Sequence, residues 1–322
     1  MSTTTEIYSA VSSHYSAASE GRTKSGSYES NVAKAFGYTP EELASIPQDA
    51  NLGLSCGNPH VLAKLREGET VVDLGSGAGF DVFLAAPNVG ATGLAIGVDM
   101  NRDMLAKAEK NKRLLKDGGR NVRFVEAPIT KIEGVESGSV DCVISNCVVN
   151  LVPEEEKPLV FAEMYRLLKS GGRVAISDIL IKDGKELPET LKRDMGLYVG
   201  CIAGASLVSG YERYLKEAGF SDVLIIDNQK DLNVYNATDD DESNGEGKSC
   251  CGTSVPTKST KSCCGTSVPV QQEPTKSCCG TSVQMNGSQK TNGAVPEAVK
   301  VDLKTVDFNT YAGSYNIYAI KA

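Results

Sequence analysis

The sequence is poor in histidine, and it has neither a long apolar run nor a basic run. Only His14 and His60 occur among its 322 residues, which leaves almost no material for a histidine zinc site or a Ser-His-Asp triad. No apolar stretch is long enough to span a bilayer. The net charge of −8, without basic residues interleaved with aromatics, argues against binding to phosphate backbones. We therefore expect neither a membrane nor a nucleic-acid partner.

The first residues, MSTTTEIYSAVSSHY, also lack a positively charged segment followed by an apolar one, so no secretory signal is visible. The expected location is therefore the cytosol, where structural disulfides are rare. The ten cysteines are then expected to be ligands of a metal or metalloid, redox groups, or small buried hydrophobes.

Six of the cysteines lie in three copies of the sequence KSCCGTSV, at residues 248–255, 261–268 and 276–283. The surrounding residues 236–299 are rich in small and polar types and carry almost no periodic apolar signal. Such a segment cannot bury enough surface to offset its ordering entropy, so disorder is expected. Adjacent thiols can chelate soft ions, which makes the repeats either a capture site for such ions or a low-complexity linker.

From residue 69 onward, short apolar runs alternate with helical segments, which predicts βαβ units and a parallel sheet. Seven strands are expected, at 70–77, 93–100, 121–129, 140–152, 173–180, 222–235 and in the last part of 306–322. The seventh strand follows residues 236–299, so that segment is expected to be an insertion between strands six and seven. The fold class is thus α/β, a Rossmann-like seven-stranded sheet with a small α-rich cap.

The N-terminal part contains two further helix signals. The stretch YESNVAKAFGYTPEELASI predicts a helix, with Thr39 as N-cap, Pro40 at the first helical position and Glu42 at the third. A short helix is expected after Pro59. The expected organisation has five parts: an N-terminal segment and loop at 1–60, a Rossmann-like core at 61–185, a cap with the sixth strand at 186–235, the insertion at 236–299, and the last strand at 300–322.

The stretch VVDLGSGAGFD at residues 71–81 is a strand that ends in a glycine turn and opens a helix. The spacing Gly75-x-Gly77-x-Gly79 is tighter than the dinucleotide fingerprint, which disfavours an NAD site. Asp73 ends this strand and Asp99 ends the next, where an acid usually hydrogen-bonds ribose hydroxyls. The pattern predicts a ligand at the C-terminal edge of the sheet, and the alternative is a tight turn without a ligand.

These residues resemble the class I S-adenosylmethionine-dependent methyltransferases, and more narrowly the arsenite methyltransferases. The resemblance is carried by NLGLSCGNP (51–59), VVDLGSGAGFD (71–81), GVDMNRDMLAKA (97–108), ISNCVVNLVPEEEKPLVFAEMYRLLKSGGRVAISDI (144–179) and DMGLYVGCIAGA (194–205). The glycine loop is generic to the superfamily. The segments SNCVVNL and YVGCIAGA are more specific, because each places a cysteine where the generic fold needs none. The resemblance implies a methyltransferase sheet that binds S-adenosylmethionine.

The resemblance also implies the roles of individual residues. Asp73, Gly75 and Gly77 would form the floor under the methionine part of the cofactor. Asp99 would bind the ribose, and Met100 would lie against the adenine. The edge of the adenine would be bordered by Ala127, Pro128 and Ile129, and Asn146 would face the cofactor. Three thiols, on Cys56, Cys147 and Cys201, would bind trivalent arsenic.

The implied reaction is transfer of a methyl group from S-adenosylmethionine to trivalent arsenic. Arsenic(III) prefers thiolate ligands, as soft ions do, and its lone pair needs no general base, which fits a chain poor in histidine. Holding both reactants in a near-attack pose contributes about 7–11 kcal/mol. A thiol reductant, glutathione or thioredoxin, would be the co-substrate of an enzyme that is expected to be monomeric.

One departure from the resembled family concerns the thiols. Its members often carry a cysteine upstream of the position of Cys56, whereas residues 1–55 contain none. Relay through another thiol, or an external reductant, would have to take its place.

Other roles stay open from the residues alone. Cys56 and Cys201 would otherwise be packing residues, Cys142 is expected to be a buried small hydrophobe, and His60 is expected on a helix surface. Two other functions also remain: a methyltransferase acting on a small organic acceptor such as a quinone or sterol, and a metal- or metalloid-buffering protein that uses the repeats.

Overall fold

The computed structural model describes residues 3–20, 27–236 and 305–322, which all belong to one compact unit. Their seven-stranded sheet has the order β3-β2-β1-β4-β5-β7-β6. The strands are β1 (Thr70–Leu74), β2 (Leu94–Asp99), β3 (Val122–Glu126), β4 (Val140–Asn146), β5 (Leu168–Ile181), β6 (Phe220–Asp227) and β7 (Ala312–Lys321). Strands β1 to β5 pair in parallel, and β7 runs antiparallel to both β5 and β6. The predicted Rossmann-like, seven-stranded fold is confirmed.

Helices surround this sheet and precede it. The α-helices of the described residues are α1 (Thr4–Glu20), α2 (Ser27–Ala35), α3 (Pro40–Ser45), α4 (His60–Ala63), α5 (Phe80–Val89), α6 (Arg102–Lys112), α7 (Lys157–Leu167), α8 (Glu189–Lys192), α9 (Met195–Val199) and α10 (Val208–Ala218). Short 3-10 turns lie at Gln48–Ala50, Val149–Leu151, Leu232–Asn236 and Phe308–Thr310. Within the described ranges, none of the helices has both the length and the apolar character needed to cross a membrane.

The inner parallel strands β1, β2 and β4 are buried on both faces, because helices cover each side of the sheet, whereas the outer strand β3 is partly exposed. Along β4, Cys142 packs in the cluster that contains the apolar side chains of α5, whereas the neighbouring Val143 packs in the cluster that contains Phe161 of α7 and Tyr211 of α10. Cys142 is fully buried, so the prediction of a small core hydrophobe is confirmed.

The N-terminal region differs most from the sequence predictions. Helix α1 was not predicted, although Ile7, Val11 and Tyr15 recur every fourth residue and form its inner face. The single helix expected before residue 46 is instead two helices, α2 and α3, separated by a turn in which Gly37 adopts a left-handed φ of 101°. The capping box predicted for Thr39 is present at the start of α3.

The first six strands have bounds other than those expected: β1, for example, ends at Leu74 and not at residue 77, and β6 lies at Phe220–Asp227 and not at 222–235. Strand β4 ends at Asn146 because Cys147 turns into the left-handed region, with φ of 60°. Strand β5 begins earlier than expected, at Leu168, which pairs with Val140. The pairing of β6 with β7 confirms that the intervening chain is inserted between the last two strands. Apart from Asn236, the segment 236–299 with its predicted disorder and repeats lies outside the described residues.

Candidate active site

A crevice lies at the carboxyl ends of β1 and β4, where the strand order changes direction. Ligands of open α/β sheets bind at this position, because the loops after the two strands diverge. Most of the cofactor-site residues predicted from the sequence line it: Asp73, Gly75, Gly77, Asp99, Met100, Pro128, Ile129 and Asn146, together with the thiol residue Cys147. Ala127 is not part of the lining, and its amide instead donates to the main-chain oxygen of Asp99 at 3.0 Å.

The glycine loop brings backbone against the floor of the crevice. Gly75 has a φ of 69°, and a Cβ there would lie 2.4 Å from a Val148 methyl, so no other residue fits without rearrangement. Gly77 also has a positive φ, and its amide donates to Oδ2 of Asp99 at 2.9 Å. The loop after β1 is thereby tied to the acid that ends β2.

Asp99 presents a fixed carboxylate at the edge of the crevice. Its Oδ1 accepts from the backbone amide of Asn101 at 2.8 Å, and its Oδ2 accepts from the backbone amide of Gly77. Burial raises the pKa of Asp99, while these backbone donors act in the opposite direction. Each carboxylate oxygen has a second lone pair, which suits paired hydroxyl donors such as those of a ribose.

Two more carboxylates, Asp73 and Asp81, face the same crevice. Burial raises the pKa of Asp73 well above its ordinary range, and the charges of Asp81 and Asp99 raise it further. The carboxylate of Asp81 accepts from the Tyr38 hydroxyl at 2.6 Å and from Nδ2 of Asn146 at 3.0 Å. This concentration of negative charge favours a ligand that carries positive charge.

His60 corrects one sequence prediction. Its side chain is only 10% exposed, and its Nε2 lies 3.1 Å from Oδ1 of Asp81. The residue therefore belongs to the wall beneath the crevice and not to a helix surface, because α4 packs inward against the sheet.

Ser76 supplies an independent sign of a ligand. Its hydroxyl is buried and has no hydrogen-bond partner among the described residues, although the residue lines the crevice. A buried polar atom left without a partner is costly. A ligand that hydrogen-bonds this hydroxyl would remove that cost.

The structure brings two of the three predicted thiols into direct contact. Cys56 and Cys147 form a disulfide, with Cα atoms 5.7 Å apart, although 91 residues separate them in sequence. The amide of Cys147 donates to the Ser177 carbonyl at 2.9 Å, and the amide of Cys56 donates to Oδ1 of Asn146 at 3.2 Å. These contacts place the sulfur pair at the edge of the crevice that Cys147 lines.

The third thiol, on Cys201, lies beside this pair but is not bonded to it. Its Sγ donates to the main-chain oxygen of Cys147 at 2.7 Å, and the residue is 2% exposed. Burial raises the pKa of the Cys201 thiol well above its usual range, and the charge of Asp178 raises it further. The Tyr15 hydroxyl and Lys157 act in the opposite direction. A ligand held by all three sulfurs therefore requires reduction of the disulfide and release of the Cys201 thiol from the carbonyl.

Asp178 was not predicted as a site residue. Its carboxylate and the sulfurs of Cys56 and Cys147 lie within 4.8 Å of one another. Burial raises the pKa of Asp178 to about 7. The hydrogen bond from the Tyr211 hydroxyl lowers this pKa and so offsets part of the effect of burial. A lone acid inside the apolar strand RVAISDIL was the available sequence signal.

Helix α1 also contributes residues that the sequence predictions missed. Tyr8, Val11, Ser12 and Tyr15 line the crevice. The side-chain nitrogen Nδ2 of Asn101 donates to the Ser12 carbonyl at 3.0 Å, which fixes α1 beside the loop after β2. The first helix therefore closes one side of the site.

The chain is similar in sequence to known methyltransferases. Residues 65–219 match the family model described as a methyltransferase domain. The arsenite methyltransferase of Halobacterium salinarum is 44% identical over 218 residues, which cover 68% of this chain and 54% of that protein. The chain spans about half the length of the curated relatives it matches.

Solved structures give two further likenesses. CrArsM, an arsenic(III) S-adenosylmethionine methyltransferase from Chlamydomonas reinhardtii, is 32% identical, and the match covers 64% of this chain and 68% of that one, with a TM-score of 0.48. Phosphoethanolamine N-methyltransferase 2 of Haemonchus contortus, solved with S-adenosyl-L-methionine, is 16% identical, covers 91% of this chain and 57% of that one, and has a TM-score of 0.52. The second likeness is one of fold alone.

Proposed function

We propose that the chain is an arsenite methyltransferase of the class I S-adenosylmethionine-dependent type, and that it methylates trivalent arsenic held by its own cysteine thiolates. The observation that carries the proposal is the convergence of Cys56 and Cys147, with Cys201 beside them, at the edge of the crevice. A methyltransferase sheet by itself requires no cysteine at these positions. An organic acceptor would leave all three thiols without a role.

The residues of the crevice fit the proposed cofactor. S-adenosylmethionine supplies an electrophilic methyl group on a sulfonium centre and carries a second positive charge on its amino group. The carboxylates of Asp73, Asp81 and Asp99 face that space and complement such charges. Asp99 would accept hydrogen bonds from the ribose hydroxyls, and the unpaired Ser76 hydroxyl would gain a partner.

The thiols would bind and orient the arsenic. Three thiolates give a pyramidal arsenic(III) complex whose lone pair points away from the sulfurs, and Cys147 places the complex where the crevice begins. The lone pair then attacks the methyl carbon, so that an arsenic–carbon bond forms as the carbon–sulfonium bond breaks. No proton is transferred in this step, which is consistent with the cluster of Cys56, Cys147 and Asp178, in which the described part of the chain places no histidine.

The electron balance of this step gives the disulfide a role. Donation of the lone pair leaves arsenic formally pentavalent, and two electrons must return to it. Oxidation of the Cys56 and Cys147 thiolates to their disulfide supplies those electrons, and arsenic(III), now methylated, stays on Cys201 and takes a thiolate or hydroxide from solution. Two molecules of an external thiol then reduce the disulfide. The pair would thus replace the cysteine that residues 1–55 lack.

A reductant requirement follows from the disulfide. Without added thiol, protein molecules in which Cys56 and Cys147 are bonded are expected to produce no methylated arsenic, because two of the three ligands are unavailable. Molecules in which the pair is reduced are expected to complete one turnover. Glutathione or dithiothreitol should restore multiple turnover. The measurement is methylarsenical yield against added thiol, with the Cys56–Cys147 peptide pair followed by mass spectrometry. Multiple turnover by protein that stays fully oxidised at this pair would contradict the scheme.

The repeats suggest a second, accessory role, although they lie outside the described residues. If they capture arsenite and pass it to the site, replacing Cys250, Cys251, Cys263, Cys264, Cys278 and Cys279 by serine should raise the apparent KM for arsenite and leave kcat unchanged. The control replaces the neighbouring Ser249, Ser262 and Ser277 by alanine. An unchanged KM would remove the capture role. Complete loss of arsenite handling would instead favour the buffering protein.

We further propose that the enzyme acts in the cytosol as a monomer and that the glutathione or thioredoxin system supplies its thiols. Light scattering coupled to size exclusion should give a mass near 34.1 kDa. A stable dimer at micromolar concentration would count against the monomer.

A further inference from the structure

A fully buried amide joins the loops that carry Cys147 and Cys201. Asn150 lies on the 3-10 turn Val149–Leu151, three residues after Cys147, and is 0% exposed. Its Nδ2 donates to Oδ1 of Asp178 at 2.8 Å, to the Ile179 carbonyl at 2.6 Å and to the Cys201 carbonyl at 3.2 Å. One side chain therefore connects the segment after β4, the C-terminal end of β5 and the loop after α9.

The orientation of this amide follows from the acceptors around its nitrogen. The Tyr211 hydroxyl lies 3.2 Å from Oδ1 of Asn150 and 2.8 Å from Oδ2 of Asp178, and both of these residues are fully buried. The carbonyls of Ile179 and Cys201 can only accept hydrogen bonds, so the end of the amide that faces them is its nitrogen. The Tyr211 hydroxyl donates its one proton to the nearer Asp178 carboxylate, which in turn accepts from Asn150.

Both cysteines need such support, because their backbones adopt a conformation that side chains disfavour. Cys147 has a φ of 60° and Cys201 a φ of 66°, in the left-handed region that is ordinarily left to glycine. Strained backbone persists only where the surrounding structure holds it in place. The two candidate ligands are two of five non-glycine residues with positive φ in the part of the chain described.

The contacts between the two loops respond differently when arsenic binds. The Cys201 thiol now donates to the Cys147 carbonyl, and this contact is lost once the sulfur becomes a ligand. The bond from Asn150 to the Cys201 carbonyl involves no sulfur and remains. The loops are also closely packed, since a Cβ on Gly204 would lie 2.1 Å from the Asn150 carbonyl.

We propose that Asn150 is a positioning residue that holds the Cys201 backbone against Cys147, so that the two sulfurs can bind one arsenic atom. The inference rests on the proposed function of the site, but it concerns arsenic capture and not methyl transfer. Asp178 acts through Asn150 by accepting from its Nδ2, and Tyr211 acts by holding the Asp178 carboxylate in place.

The test uses phenylarsine oxide, which condenses with two thiols to form a cyclic dithioarsenite and releases one water. The parent is the full-length chain with the six repeat cysteines and Cys56 replaced by serine, so that Cys147 and Cys201 are the thiols at the site. Asn150→Ala is expected to weaken phenylarsine oxide binding at least tenfold, because the Cys201 loop is no longer held. Peptide mapping of the bridged product by mass spectrometry identifies the bound pair.

Asn111→Ala is the matched control, because Asn111 is a buried amide on α6 that donates to the Ala78 carbonyl at 3.1 Å. It should lower the melting temperature and leave phenylarsine oxide affinity within twofold of the parent. A purely structural role for Asn150 would give this same pattern, so affinity within twofold in folded Asn150→Ala would overturn the proposal.

Tyr211→Phe keeps the test decisive if Asn150→Ala does not fold. The substitution retains the ring that packs edge-on against Phe161 and removes only the hydroxyl that donates to Asp178, the carboxylate that accepts from Asn150. A threefold or larger loss of affinity is expected, and an unchanged affinity would contradict the proposal. This test measures arsenical binding and not methyl transfer, so it is independent of the test of the proposed function. An unmutated chain that fails to methylate arsenite would refute the proposed function and leave the positioning role of Asn150 unaffected.

Discussion

Replacing Cys147 by serine is expected to reduce arsenite methylation to the background without enzyme. A hydroxyl is a hard, protonated ligand at neutral pH and cannot replace a thiolate on arsenic(III). The substitution also removes the disulfide partner of Cys56, and with it the proposed source of two electrons. The measurement is methylarsenical yield in the presence of excess thiol, with S-adenosylmethionine affinity measured by calorimetry. We expect that affinity to stay close to that of the unmodified protein, because the carboxylates and the glycine loop are unchanged.

The matched control for this variant is Cys142→Ser, which makes the same chemical change five residues earlier, inside β4. Cys142 packs in the core cluster that contains the side chains of α5, apart from the cluster that contains Cys56, Cys147 and Cys201, so it is not a candidate ligand. A hydroxyl placed there should cost about 1–3 kcal/mol of stability while methylation is retained. If Cys147→Ser methylates arsenite at the rate of the unmodified protein, the thiol assignment fails.

Asp99→Ala is expected to weaken S-adenosylmethionine binding about 10- to 150-fold, since hydrogen bonds to a charged group contribute about 1.5–3 kcal/mol. The substitution removes the acceptor proposed for the ribose and also leaves the amides of Gly77 and Asn101 without their acceptor. The glycine loop then loses its tie to β2. Calorimetric titration gives the affinity, and the KM for S-adenosylmethionine should rise in parallel.

Asp103→Ala provides the corresponding control, because Asp103 is an exposed acid in the first turn of α6, four residues further along the chain. Its removal should change the cofactor affinity by less than twofold. Equal affinities for Asp99→Ala and the unmodified protein would show that the acid at the end of β2 does not contact the cofactor.

Local signals in the sequence were sufficient to predict the sheet. Apolar runs buried on both faces identify parallel strands, and the acids that end β1 and β2 identify the edge at which a ligand binds. The capping box at Thr39 was predictable for the same reason, because its partners are three residues apart. The ends of the strands were predicted less accurately where the backbone conformation of one residue decides them. Strand β4, for example, ends before Cys147 because that residue has a left-handed φ.

The interior of the site was not predictable in this way, because it depends on contacts between distant residues. The pairing of Cys56 with Cys147 spans 91 residues, and nothing in the sequence distinguishes it from pairing with Cys201. The roles of Asn150 and Asp178 appear only when β4, β5 and the loop after α9 are brought together. Helix α1 was missed because its serine-rich composition obscured a regular apolar spacing.

The central claim is that arsenic is the methyl acceptor, and one measurement tests it directly. The reduced protein is incubated with arsenite, glutathione and S-adenosylmethionine labelled in its methyl group, and the arsenic species are separated by chromatography. The account predicts labelled methylarsenicals from the unmodified protein and none from Cys147→Ser. Unmethylated arsenite as the sole arsenic species, from protein shown to bind S-adenosylmethionine and to be reduced at Cys56 and Cys147, would contradict it.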